Sequence, residues 1–274
     1  MDRRAVLTTG ANSGIGLATT LELARRGFRS IGSVRSEAKA EVVHAAAAAA
    51  GVEVDTVLLD VTDGDRCAEV MAGLELYGLV NNAGYAVTGA IEDIDDEAAR
   101  HLLETMVVAP MRLARLALPA MQARGEGRIV NVSSIMGLVS APLGGWYTAA
   151  KHAIETLSDS LRVETAQDGI KVVLVEPGGF DTGIWEETER DIDAHTEAGS
   201  RFASAYRRFL RAQRLAVPIM GSPQQCADTI AGVIEARAPH RRYLVGLDAQ
   251  ALHLTGRLTP SFVQDRFMRV VLDL

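Results

Sequence analysis

The chain has 274 residues, 48% of them hydrophobic and 23% charged, which is enough to bury one large core, and its formal net charge is -7. That acidity argues against nucleic acid or an anionic membrane surface as the main partner. No long apolar run follows Arg4, and the longest charge-free span, Ile129 to Ala150, carries Asn131, serines, glycines and Pro142. Neither a secretion signal nor membrane insertion is therefore expected, and the chain reads as soluble and cytoplasmic. Cys67 and Cys226 stand far apart in no ligand or redox spacing, which fits reduced core thiols, and the six histidines form no metal pattern.

From Ala5 to Gly16 the chain reads Ala-Val-Leu-Thr-Thr-Gly-Ala-Asn-Ser-Gly-Ile-Gly, a short apolar strand that runs into a helix through three glycines. Glycine lets backbone N–H groups approach a ligand closely. The helix start then offers unpaired N–H groups and a positive dipole end to a pyrophosphate. Gly10, Gly14 and Gly16, with Asn12, Ser13 and Ile15 between them, have the spacing G-x-x-x-G-x-G, a variant of the dinucleotide fingerprint.

Gly27 ends that helix, and Phe28 to Val34 is a second strand leading to Arg35 and Ser36. The polyalanine run Ala45 to Ala50 favours a packed helix. Val54 to Leu59 makes a third strand ending at Asp60, a helix follows from about Asp63, and Leu79 and Val80 lead a fourth strand into Asn81-Asn82-Ala83-Gly84. A long helix from about Asp95 to Ala123 precedes the strand Gly127 to Ser133, and a helix from Trp146 to Ala166 precedes the strand Ile170 to Val175. Between Ile184 and Val217 lies an acidic, then basic, helical insert with Trp185, Phe202, Tyr206 and Phe209, either a lid or a surface helical pair whose aromatics pack on the body. Ser222-Pro223 starts another helix, Arg242 to Val245 is a last strand, and Asp248 to Leu274 is a helical tail. Strand and helix alternate throughout, which predicts an α/β fold: a doubly wound parallel sheet of about seven strands with helices on both faces, in a single domain. Ligands in such sheets sit outside the carboxyl ends of the strands, where Gly10, Arg35, Asp60, Asn82, Ser134 and Pro177 all fall.

Tyr147 and Lys151 lie four residues apart, so a helix puts them on one face. A free tyrosine has a pKa near ~10, too high for proton exchange near neutrality. A cation at ~5 Å, with an effective dielectric near 20, favours the phenolate by roughly 3 kcal/mol. An oxidised nicotinamide pushes the same way, which makes Tyr147 a candidate acid or base. Ser134, at the mouth of the preceding strand, can donate to a substrate carbonyl oxygen or simply cap the loop.

The segments Thr9-Gly-Ala-Asn-Ser-Gly-Ile-Gly16 and Asn81-Asn-Ala-Gly84, then Ser134, Tyr147-x-x-x-Lys151 and Pro177-Gly178 followed by Thr182, resemble in order and spacing the compact short-chain dehydrogenase/reductase family. The tail from Arg242-Tyr-Leu-Val-Gly246 is similar to the branch with 17β-hydroxysteroid and retinol dehydrogenases. The resemblance implies a Rossmann-like nicotinamide-binding domain with Tyr147 as general acid/base, Lys151 on the nicotinamide ribose and Ser134 orienting the carbonyl. It implies that Asp60 and Val61 meet the adenine, Asn82, Ala83 and Gly84 the adenine-side ribose, and Pro177, Gly178 and Thr182 the nicotinamide. One departure stands out: where the family carries a catalytic asparagine, in Thr105-Met106-Val-Val-Ala-Pro110, this chain has Met106, whose thioether accepts weakly and donates nothing. The asparagine's proton relay from Lys151 is then in question, and core filling is the alternative role for Met106.

The expected activity is interconversion of a carbonyl and a secondary alcohol; a regulatory protein that binds cofactor without turnover, or a redox-neutral isomerase or dehydratase, are the alternatives. At the end of the second strand Val34 stands where an NAD enzyme places a carboxylate, and Arg35 follows, so NADP(H) is expected over NAD(H), although Ser13 occupies the place of a second basic residue. Leu138, Val139, Leu143 and Trp146, with the insert's aromatics, predict a hydrophobic, uncharged substrate unless Glu186, Glu187, Arg207, Arg208 or Arg211 face inward. The apolar surface of the two long helices predicts a homodimer or homotetramer.

Overall fold

Runs such as Ala-Val-Leu-Thr-Thr and Val-Val-Leu-Val are too apolar to face water on either side, and helices on both faces of a parallel sheet bury them. The computed structural model describes residues 3–180, 183–216 and 220–274. In chain order the first half runs β1 (Ala5–Thr9), α1 (Gly14–Arg25), β2 (Arg29–Val34), α2 (Glu37–Ala49), β3 (Asp55–Leu58), α3 (Gly64–Ala72), β4 (Leu76–Asn81), α4 (Asp96–Leu103) and α5 (Ala109–Arg124). The second half runs β5 (Gly127–Val132), α6 (Gly145–Glu164), β6 (Ile170–Pro177), α7 (Ile184–Glu197), α8 (Ala203–Ala216), α9 (Pro223–Glu235), β7 (Arg242–Val245), α10 (Leu247–Leu258) and α11 (Ser261–Leu272). The seven strands form one sheet in the order β3-β2-β1-β4-β5-β6-β7, with every pairing parallel. Strand order reverses between β1 and β4, so their carboxyl ends frame the crevice where such folds bind ligands.

Period-two alternation sends neighbouring side chains to opposite faces. Leu7, Leu79 and Ile129 pack with Leu113 and Met121 of α5, while Val6, Val80 and Val130 pack with Leu23 of α1 and Ile230 of α9. Both cysteines are free and buried. No helix among the described residues is long and apolar enough to cross a membrane.

The helix expected without a break from Asp95 to Ala123 is interrupted by a π-helical turn, Glu104–Val108, between α4 and α5. The cause is Pro110, which has no N–H to donate and whose ring crowds the carbonyl four residues back, on Met106. Widened turns of this kind recur at functional sites.

The insert is a helical pair with a core of its own. Of the two places open to its aromatics, a cleft or the body, Tyr206 takes the body and is 0% exposed; its hydroxyl donates to Asp93 Oδ2 at 2.5 Å and accepts from Ala90 N at 2.8 Å. Phe202 and Phe209 pack on the same cluster, which also takes in Leu143 and Leu272. The aromatics of α8 therefore fasten the insert to the body, because a phenol needs a buried partner and Asp93 supplies it. From α7, Asp191 Oδ2 accepts from Thr88 N at 2.9 Å, and Trp185 Nε1 donates to Phe180 O at 2.7 Å.

Candidate active site

At the end of β1 the chain turns through Gly10 and Gly14, whose φ values of 66° and 51° lie in the left-handed region that side chains disfavour. Thr9 Oγ1 accepts from both Asn82 N and Ala83 N at 2.9 Å, and Asn82 Nδ2 donates to Thr9 O at 2.9 Å. Asn82 thus braces the glycine turn against β4. A Cβ on Gly16 would run into Gly10 O and the Asn82 amide. Gly16 accordingly serves the close approach of α1 and stands behind the cleft.

A cleft of about 460 Å³ opens over this crevice, lined from the turn by Gly10, Asn12, Ser13, Gly14 and Ile15. Arg35 lines it at the end of β2, Asp60 and Val61 after β3, and Asn82, Ala83 and Gly84 after β4. Sequence reasoning did not place Lys39, Tyr85, His101 and Thr105, which line it too, and of the insert charges that it left open, Glu187 lines it. Lys39 carried a signal, since it sits one helical turn beyond Arg35. The rings of Tyr85 and His101 lie 5.8 Å apart. Of the α7 side chains Glu187 lines the cleft, so the insert brings a carboxylate to it.

Several features fit a dinucleotide phosphate. Helices α2, α3, α4 and α9 are capped by the side chains of Ser36, Asp63, Asp95 and Ser222, whereas Ser13 makes no side-chain cap on α1. The first amides of α1 thus remain available at the cleft. Arg35 and Lys39 bring positive charge to the end of β2, where Val34 leaves no carboxylate. Burial would raise the Asp60 carboxyl, but hydrogen bonds from Thr62 and the Arg35 charge hold it below its ordinary value. Thr62 N and Oγ1 donate to Asp60 Oδ1 at 2.9 and 2.7 Å.

Past the end of β5, Ser134 Oγ lies 3.5 Å from the carbonyl of Pro177, which ends β6, and accepts from Met136 N at 3.1 Å. Tyr147 and Lys151 project from one face of α6, with Lys151 Nζ 5.6 Å from the Tyr147 ring centroid. The ammonium does not point at the phenol; it donates to Val132 O at 2.9 Å. Burial pushes Tyr147 up to about 12, with a hydrogen bond to Ser134 pulling it back, and burial pushes Lys151 down to about 8 against the charge of Glu155. The depressed tyrosine expected from the cation is thus reversed, because burial disfavours the phenolate while the ammonium is engaged by Val132 O. Met106 is 4% exposed and packs with Leu102, Ala150, Trp146 and Tyr147, so its thioether fills core beside the tyrosine. Gly178 follows Pro177, its N–H donating to Val245 O at 2.9 Å, and Asp248 Oδ2 accepts from the next amide, Gly179 N, at 2.6 Å. Thr182 lies outside the described residues. Among the described residues no three histidines, cysteines or acids gather into a metal site.

The sequence pattern of the short chain dehydrogenases matches residues 4–193. The chain belongs to that family. Human retinol dehydrogenase 5 is 31% identical over 288 residues, covering 97% of this chain and 88% of that protein, which sets the chain in the retinol dehydrogenase-like branch. Among solved structures, a short-chain dehydrogenase from Streptomyces avermitilis is 32% identical with a TM-score of 0.79, covering 98% of this chain and 96% of that one. A variant of actinorhodin polyketide ketoreductase with NADPH is 27% identical with a TM-score of 0.76, covering 91% of this chain and 98% of that one. As a short-chain dehydrogenase/reductase, the chain is an oxidoreductase with a nicotinamide cofactor.

Proposed function

We propose that this enzyme uses NADP(H) to interconvert a carbonyl and a secondary alcohol on a hydrophobic, uncharged small molecule. The observation that carries this reading is the meeting of Ser134, Tyr147 and Lys151 past the end of β5, at the same sheet edge as a cleft that these three do not line but whose glycine turn and uncapped helix suit a pyrophosphate. Arg35 and Lys39 at the end of β2, with no acid between them and the turn, favour a ribose phosphate over a bare 2'-hydroxyl. The solved ketoreductase with NADPH is consistent with that choice.

When bound, the nicotinamide supplies the hydride donor or acceptor. The residues of the chain handle the oxygen. Ser134 Oγ donates to the substrate carbonyl and stabilises the charge that grows on it. Tyr147, with its hydroxyl pushed up to about 12, holds its proton at neutral pH and is ready to give it to that oxygen, the direction a ketone reduction requires. The Lys151 ammonium, fixed to Val132 O, keeps positive charge beside the tyrosinate that this transfer leaves. Gly10, Asn12, Ser13, Gly14 and Ile15 hold the pyrophosphate, with Gly16 letting α1 approach. Asp60 and Val61 would hold the adenine, Asn82, Ala83 and Gly84 its ribose, and Lys151, Pro177 and Gly178 the nicotinamide end, a role the family resemblance also gives to Thr182. Leu138, Val139 and Trp146, near Ser134 and Tyr147 in the chain, support an apolar substrate, while the Glu187 carboxylate in the cleft and the packing of Phe202, Tyr206 and Phe209 on the body count against it. The free cysteines support a cytoplasmic setting, and a homodimer or homotetramer is part of the same reading.

A panel of ketones and alcohols assayed by nicotinamide absorbance tests the proposal. Turnover of apolar ketones with NADPH is expected, with NADH a poorer donor. The rival, a regulatory protein that binds cofactor without turnover, is favoured by Met106 in place of the relay asparagine. Cofactor binding with no turnover across the panel would establish the rival.

A further inference from the structure

Behind Lys151, on the side away from the cleft, lies a charge cluster that the chemistry above does not use. Glu155, one helical turn after Lys151 on α6, is 5% exposed, and Glu176 on β6 is 0% exposed. Carboxylates so deep are rare without partners. Arg242 on β7 donates from Nε to Glu155 Oε2 at 3.2 Å and from Nη2 to Asp159 Oδ2 at 2.8 Å. Its Nε also lies 3.1 Å from Glu176 Oε1. With that N–H engaged by Glu155, neither Glu176 oxygen has a donor, and Glu155 Oε1 has none. One guanidinium therefore faces three carboxyls, two of them deeply buried.

Burial, and then the charge of Glu155, push Glu176 well above the usual carboxylate range. Glu176 is thus the member that keeps a proton, and a protonated carboxyl is the donor its neighbourhood lacks. The charge left on Glu155 opposes the burial that drives Lys151 downward. The other charged or titrating groups around this pair are Tyr147 and Asp159 on α6, Arg242 on β7, and Arg162, which binds Asp159. Val132 of β5, Leu102 of α4 and Met106 of the π-turn bring no titrating group to that end of Lys151 and Tyr147.

We propose that Glu155, clamped by Arg242 beside the buried Glu176 and one helical turn from Lys151, is a positioning residue that fixes the charge state of Lys151 from beneath the active site. The proposal rests on the role given to Lys151 above. It also gives β7 a part in catalysis, since Arg242 ties the far end of the chain to the catalytic helix.

The chain has only three lysines, Lys39, Lys151 and Lys171, so carbon-13 lysine labelling resolves Lys151 by NMR, assigned by its loss in Lys151→Met. Glu155→Gln is expected to lower the Lys151 titration midpoint by about one pH unit, tenfold in proton affinity. Glu176→Gln, which keeps a donor toward Glu155, should leave that midpoint in place. An unmoved midpoint in Glu155→Gln overturns the proposal. Should that variant not fold, the parent protein gives the answer through carbon-13 labelled glutamate. One carboxyl still protonated at about pH 6.5, that of Glu176, is expected, and a spectrum with every glutamate ionised there overturns the proposal, because Glu176 is raised partly by the charge on Glu155. Neither measurement needs turnover. A Tyr147→Phe enzyme that still works would sink the catalytic reading while leaving these titrations as they are, so the two failures are distinguishable.

Discussion

At the scale of single residues, the raised Tyr147 and the lowered Lys151 make separate claims. Tyr147→Phe removes the transferable proton and leaves the ring packed against Met106 and Trp146. It is expected to lower kcat/KM about 10²–10⁴-fold with NADPH affinity unchanged, as read by steady-state kinetics beside fluorescence titration. Lys151 is 8% exposed and has its pKa pushed down to about 8 from 10.5, so below about 8 the folded chain carries a buried charge that the unfolded chain keeps in water. Between the folded and unfolded values the unfolded state binds more protons, so this lysine's destabilising effect shrinks as pH rises. Whatever offset Lys151→Met has from leaving Val132 O without its donor, its stability relative to the parent should fall between pH 8 and 10.5. Denaturant melts across that window check this, and a constant difference would show that Lys151 is not depressed.

At the scale of elements, the end of β2 and the π-turn carry the testable content. Arg35→Ala removes one charged partner for a 2'-phosphate, worth about 1.5–3 kcal/mol. NADPH should therefore weaken roughly tenfold to a hundredfold and NADH little, and Lys39→Ala should act in the same direction. Equal losses for both cofactors in calorimetric titration would sink the NADP(H) assignment. Met106→Asn puts an amide into a cluster of Leu102, Ala150 and aromatic rings. If the thioether is core filler, stability should fall by about 1–3 kcal/mol with no gain in kcat; a rise in kcat would mean that the missing relay limits turnover.

How far these elements were legible follows from the range of the forces that make them. The strands, the glycine turn and the Tyr147–Lys151 spacing are local patterns, and the sheet places them where alternation of strand and helix predicts. Lys39 was not singled out because a lysine in the first turn of a helix has the same local signal as a solvated one. The π-turn was missed because Pro110 inside a periodic apolar stretch does not by itself say whether a helix ends, kinks or widens. Glu155 read as an ordinary helix acid. Only the β6–β7 register, with Leu174 opposite Arg242 and Glu176 opposite Leu244, brings Glu176 diagonally beside Arg242 and exposes the cluster. Tyr206 stays open between a cleft and the body in the sequence because its partner, Asp93, lies more than a hundred residues away.

At the scale of the whole molecule, the proposed homo-oligomer requires a face that meets a second copy. The long helices expected to form a shared bundle expose Val108 at 46% on the π-turn and Leu157 at 38% and Val163 at 68% on α6. The tail also exposes apolar residues, with Phe262 at 73%, Phe267 at 63% and Val270 at 69% on α11. A stable homodimer needs about 800 Å² per partner, and isolated exposed side chains on a monomer are ordinary, so exposure alone does not choose between the faces. Substitution does. A glutamate placed in an apolar interface buries an unpaired charge, which costs several kcal/mol and breaks the association, whereas on a free surface it is nearly neutral. Sedimentation of the parent at micromolar concentration is expected to show a dimer or tetramer of the 29.3 kDa chain. Leu157→Glu should shift it to the monomer, while Phe267→Glu leaves it assembled. Dissociation by Phe267→Glu alone would move the interface to α11, and a parent that sediments only near 29.3 kDa would remove the oligomer altogether.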